Sequence, residues 1–174
     1  MTGDFRQAVL AAAQRPEVPE AVACLYLDLE QQIERRRPLC VASGRCCRFE
    51  EFGHRLYTTT LELAAFAYEF RQTSVSPQLS QVIELWDQTG CPFQVGKLCG
   101  VHAIRPFGCR IFFCDATADQ WQREQYQAFH ARLRTLHDTL GVPYHYLEWR
   151  SALAALPELL APSKDRFDNY HGPC

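Results

Sequence analysis

Several familiar signatures are missing from this chain of 174 residues, and each absence excludes a class of function. The only basic tract is Arg35-Arg36-Arg37, and the formal net charge is −2 with an isoelectric point near 6.3. The long-range attraction expected of a nucleic-acid binder is therefore missing. No apolar run approaches the ~18 residues that a membrane span requires. Residues 1–15 place Asp4 early, offer no basic leader segment and interrupt their apolar stretch with Arg6 and Gln7, so a secretory peptide is not expected and the cytoplasm is. There is no glycine-rich phosphate loop, dinucleotide fingerprint, His-Glu-x-x-His or nucleophile elbow. Whether the chain is an enzyme stays open, and any catalysis would have to take place at a metal centre.

Cysteine is what the chain has in abundance. Seven of its nine cysteines fall between positions 40 and 114, as Cys40, Cys46, Cys47, Cys91, Cys99, Cys109 and Cys114. A set this dense either closes disulfides in an oxidising compartment or holds metal as thiolates in a reducing one. With 47% hydrophobic residues the chain can bury a core without covalent staples, and no export signal is read, so metal is favoured. All seven are candidate ligands. Adjacent Cys46 and Cys47 are expected to diverge, each serving a different metal atom or one packing while the other ligates. Gly44 and Ser43 suit a tight loop whose amides turn toward sulfur. Cys24 lies on a helix remote in sequence from the cluster and is not expected to ligate.

The ordered combination Cys-x5-Cys-Cys, Cys91-Pro-Phe, Cys99 and Arg105-Pro-x-x-Cys109-Arg110 followed by Cys114 resembles the YkgJ-type cysteine-cluster family of zinc- or iron-chelating domains. Flagellin lysine methylases carry a related cluster. The resemblance covers roughly residues 40–114 and implies a metal-binding function. The family often has Tyr where this chain has His102, which leaves an extra ligand or proton donor beside the cluster.

Arginines flank the cysteines while acidic residues are scarce there. Arg105 is expected to support the cluster with hydrogen bonds to sulfur or to loop carbonyls, and Arg110 to balance its charge. His54, His102 and Asp115 are further candidates for proton transfer or non-thiolate ligation. The intervals between the seven cysteines, of five, none, forty-three, seven, nine and four residues, contain a single Cys-x2-4-Cys spacing, Cys109-x4-Cys114, and not the two knuckles usual in a structural zinc site. This favours an iron–sulfur cluster of the 4Fe–4S kind, used for redox or cluster-based chemistry. The alternatives are a zinc-stabilised domain acting through a protein partner and a metal-dependent protein-modifying enzyme.

The remaining pattern reads as one mainly α domain over residues 1–162, packed around an irregular cysteine-rich centre with a short β-hairpin, and a tail over 163–174. Helices are expected over 4–15, 19–36, 60–72 with a Thr59/Glu62 capping box, from Ser76 toward Gly90, from a Thr117/Gln120 cap to Leu140, and over 146–156. Residues 91–99 read as a hairpin turning at Gly96. His130 and His137 read as boundary residues of the long helix, and Cys174 and His171 as parts of a mobile terminus.

Overall fold

A computed structural model of the chain describes residues 2–159. The expectations for His171, Cys174 and the tail lie outside the described residues. The fold is mainly helical: α1 (Thr2–Ala12), α2 (Glu17–Arg36), α3 (Phe49–Phe52), α4 (Thr60–Gln72), α5 (Pro77–Glu84), α6 (Phe107–Arg110), α7 (Asp119–Leu140) and α8 (Trp149–Ala154). Two antiparallel strand pairs complete it, β1 (Tyr57–Thr59) with β4 (Tyr146–Glu148) and β2 (Gln94–Val95) with β3 (Leu98–Cys99). Among the described residues no helix is long and apolar enough to cross a membrane.

Helix α4 is the central element because it is apolar around nearly its whole circumference, with Leu61, Leu63, Ala64, Phe66, Ala67 and Phe70 all buried. Such a helix must be covered on several sides, and α1 and α2 pack against it. Its start is fixed by the expected capping box. The Thr59 hydroxyl accepts from the Glu62 amide, and the Glu62 carboxylate accepts from the Thr59 amide at 2.9 Å. Beside α4, Phe66, Phe70, Phe93 and Trp149 form a continuous aromatic core with ring centroids 5.2 to 6.0 Å apart.

Three local expectations are corrected. The long helix α7 is not capped by Thr117; its N-terminal neighbour is Ala118, and Asp115 instead accepts from the Thr117 amide to start a short 3-10 turn over Ala116–Ala118. Helix α5 stops at Glu84, because the following chain turns through Asp87, whose carboxylate accepts from the Thr89 amide and hydroxyl. Residues 146–148 are strand rather than helix: Tyr57, Thr58 and Thr59 pair with Glu148, Leu147 and Tyr146, and α8 begins only at Trp149. Glu148 caps it, its carboxylate accepting from the Ser151 amide at 3.0 Å.

Candidate metal centre

Five of the seven central cysteines line one small cavity. The segment after α2 is irregular until Gly44, whose φ of +73° suits glycine and lets the chain enter a 3-10 turn over Arg45–Cys47. A side chain at Gly44 would meet Gln94 and the backbone of Lys97, so the loop lies directly on the β2–β3 hairpin. The Cys91 amide donates to the Cys47 carbonyl at 3.0 Å, and the Gly90 amide to the Glu50 carboxylate at 3.1 Å. Those bonds close the gap of forty-three residues between the two halves of the motif. The hairpin then brings Cys99 beside Cys91, and α6 adds Cys109.

The resulting cavity has a volume of about 20 Å³ and is walled by Cys46, Cys47, Cys91, Cys99 and Cys109 together with Arg105, Phe93 and Trp149. Cys46 and Cys47 face it together, with sulfur atoms 4.0 Å apart. The expectation that they diverge fails because successive side chains on a 3-10 turn are separated by about a third of a turn, not by the half turn of a strand. Cys40 and Cys114 are exposed and lie outside the cavity. They flank a separate contact in which the Leu39 amide donates to the Asp115 carboxylate at 3.0 Å. Cys24 sits on α2 in a groove against Thr135 and Leu136 of α7 and does not line the cavity.

Among the described residues, two buried donors at the cavity have no hydrogen-bond partner, Arg105 Nε and Trp149 Nε1. Orphaned donors of this kind are costly unless an acceptor meets them. The Cys47 thiol donates to its neighbours and is pushed up by that role, while Cys46 is lowered to about 6 and Cys99 to about 7, each first by the Cys47 hydrogen bond and also by the Arg105 guanidinium. Burial, then the charge of Cys91 and Cys99, pushes Cys109 up. Ionising all five thiols in so small a space requires a cation among them. Among the described residues no three His, Cys, Asp or Glu side chains already stand as a finished coordination set, so the cysteines surround a common space without having closed on one point.

The two arginines of the motif divide their tasks. Arg105 lines the cavity. Arg110 turns away from it: its guanidinium lies 4.2 Å from the Tyr26 ring centroid, Nε donates to the Arg105 carbonyl at 2.8 Å, one terminal nitrogen to the Ala103 carbonyl, and the other to Glu30 at 2.6 Å. It braces the 103–110 loop and does not touch the thiols. Arg45 and Arg48 lie over the Phe52 ring instead of approaching sulfur.

Glu62 is the site residue that motif reasoning misses. Fully buried on α4, it accepts from the Phe107 amide at 2.7 Å and from the Tyr26 hydroxyl at 3.0 Å, in addition to its capping bond with Thr59. The first of these holds the N-terminus of the one-turn helix that carries Cys109. Its only sequence signal is the capping box, which says nothing about α6.

The other candidates are peripheral. His102 is exposed and does not line the cavity. His54 stacks on Phe112 at 4.5 Å with Nε2 3.4 Å from the Cys46 carbonyl oxygen, and its buried Nδ1 has no partner among the described residues. Asp115 is engaged with Leu39 and Thr117, whose donors lower it. His137 is buried rather than at the boundary, with Nδ1–H donating to the Val142 carbonyl at 3.0 Å. His130 pairs with the Tyr144 hydroxyl at 2.8 Å. Comparison of the chain with known protein families, with characterised proteins and with solved structures finds no match.

Proposed function

We propose that this protein is a thiolate metal-binding protein whose centre is formed by Cys46, Cys47, Cys91, Cys99 and Cys109. One observation carries the reading: five free cysteines from three chain segments wall a single cavity of about 20 Å³. The donor set fits a metal of thiolate preference, and the two orphaned donors, Arg105 Nε and Trp149 Nε1, suit hydrogen bonding to negatively charged sulfur. The ordered motif's resemblance to zinc- or iron-chelating domains supports the same conclusion.

The dimensions favour a single ion. Two thiolates on one tetrahedral zinc, each at ~2.3 Å, stand about 3.8 Å apart, close to the 4.0 Å between Cys46 and Cys47. A cavity of about 20 Å³ offers roughly the space of one water molecule, whereas a cubane brings four irons and four sulfides. Such an ion, when bound, supplies folding free energy by joining segments that otherwise share few contacts. Here it would tie the 45–47 turn, the hairpin and α6 together. A [4Fe–4S] cluster is the second reading, favoured by the absence of a Cys-x2-4-Cys pair among the five cysteines that line the cavity and by a fifth cysteine beyond the four that one zinc needs.

Anaerobic purification followed by metal analysis and an absorption spectrum tests both. A colourless or weakly coloured protein with one metal per chain supports the single ion, and a brown one absorbing near ~400 nm with iron and sulfide supports the cluster. Cys46→Ser or Cys99→Ser should then lose metal while Cys40→Ser and Cys114→Ser keep it. A protein that purifies without metal, and whose thermal midpoint is unchanged by chelator or by added zinc or iron, would overturn both readings.

A further inference from the structure

A second concave site, lined by no cysteine, lies between β1, α6 and the first turns of α7, with a volume of about 320 Å³. That is within the range of about 300–1,000 Å³ typical of small-molecule pockets. Its walls are of two kinds. Tyr57, Phe112 and Tyr126 supply aromatic surface, while Arg55 and Arg123 supply cationic groups and Gln122 a carboxamide.

The polar wall is made of donors without matching acceptors. No carboxylate lines the site. Among the described residues neither Arg55 nor Arg123 takes part in an ion pair, although most other arginines near the cysteine motif do or are stacked on a ring. The Gln122 carbonyl oxygen is committed to the Phe113 amide at 2.7 Å, which leaves its NH2 group as the available end. The aromatic wall is rigid. Tyr57 is stacked on Tyr146 at 5.0 Å, Tyr126 bonds the Tyr146 hydroxyl, and Phe112 is stacked on His54. Gly108 forms part of the floor because a β-carbon there would meet the Tyr57 carbonyl at 3.0 Å, so α6 packs directly on β1.

From these features we infer that the pocket between Arg55, Arg123 and the Tyr57–Tyr126 wall binds a small organic anion, a phosphate ester or carboxylate attached to a flat apolar body. Guanidinium groups recognise phosphate and carboxylate through paired charge-assisted hydrogen bonds. The flat rings complement the apolar part. The site adjoins the metal centre through the chain: Gly108 precedes Cys109, and the His54 ring stacked on Phe112 reaches the Cys46 carbonyl. It does not depend on the metal assignment, since no cysteine contributes to it.

The test uses the full chain as purified and four probes, phenyl phosphate, benzoate, benzylamine and inorganic phosphate, followed by saturation-transfer NMR and calorimetry. Phenyl phosphate, benzoate or both should bind, more weakly at higher salt, and benzylamine should not. The double variant Arg55→Ala/Arg123→Ala should weaken binding by at least about tenfold, as expected when two charge-assisted contacts are removed. Both arginines are exposed and outside any ion pair among the described residues, and circular dichroism verifies that the variant folds. Benzylamine binding as well as phenyl phosphate, undiminished binding by the double variant, or no binding of either aromatic anion would each overturn the inference. Inorganic phosphate matching phenyl phosphate would overturn the flat apolar body.

Discussion

Replacing Glu62 should damage both the fold and the metal centre, and the structure sets the size of the effect. Its carboxylate receives three buried donors: the Thr59 amide, the Phe107 amide and the Tyr26 hydroxyl. Glu62→Ala leaves the Thr59 amide and the Tyr26 hydroxyl without this acceptor and the Phe107 amide with only its longer bond to the Tyr26 hydroxyl oxygen at 3.2 Å, and each orphaned buried donor costs about 1–3 kcal/mol. Burial raises the carboxyl's own pKa, so removing it relieves part of that cost at neutral pH. A net loss of about 3–5 kcal/mol is expected, a large share of the ~5–15 kcal/mol that holds a typical domain together. Glu62→Gln should lose less, about 1–2 kcal/mol, because its carbonyl oxygen retains Tyr26 and Phe107 while its NH2 faces the Thr59 amide donor to donor. Urea unfolding at pH 7 measures both. Because the Phe107 amide starts the helix carrying Cys109, the Ala variant should also show faster thiol modification at Cys109. If Glu62→Ala unfolds within ~0.5 kcal/mol of the parent, the usual scatter of neutral surface substitutions, the account of Glu62 as the brace of α6 is wrong.

Arg105→Leu and Arg110→Leu should separate cleanly. The first, at the cavity, should weaken metal retention against a chelator by ~10–100-fold with little change in secondary structure. The second leaves the Ala103 and Arg105 carbonyls and Glu30 without their donor, and should cost ~2–4 kcal/mol in urea unfolding; equal effects of the two on metal retention would refute the division. For His137, burial lowers the folded-state pKa below the ordinary value, with Asp138 opposing that shift and His145 adding to it. Its contribution to stability is therefore present above pH ~6.5 and is lost as pH falls toward the folded pKa. His137→Gln, which can still donate to Val142, should show a shallower fall in stability below pH 6.5, and parallel curves for variant and parent would refute this. Gly44→Ala should destabilise the cysteine loop, both because φ is +73° and because its β-carbon would fall 2.4 Å from Gln94 Nε2. A drop in thermal midpoint checks it, and an unchanged midpoint and metal content would count against the close loop–hairpin packing.

Local chemistry settled much of this protein from sequence alone. The Thr59/Glu62 capping box, the Pro38 stop after α2, Gly141 at the end of α7 and the Gly96 turn each act over a few residues and appear where they are read. The mainly helical class follows from their sum. Tertiary structure decided the rest. Pairing of β1 with β4 joins three-residue segments 87 positions apart in register, Thr59 to Tyr146, too short to leave any alternation in the sequence. Spacing could gather the cysteines of the motif, but it could not tell which ones meet: Cys46 and Cys47 converge because they sit on a 3-10 turn, whereas Cys40 and Cys114 are held outside beside the Leu39–Asp115 contact. Arg-Pro-x-x-Cys-Arg places Arg105 at the thiols, as read, but gives no hint that Arg110 faces Tyr26. The direction of Arg110 depends on how the four-residue helix that it ends is set, and the first residue of that helix, Phe107, is held by Glu62, 45 positions earlier in the chain.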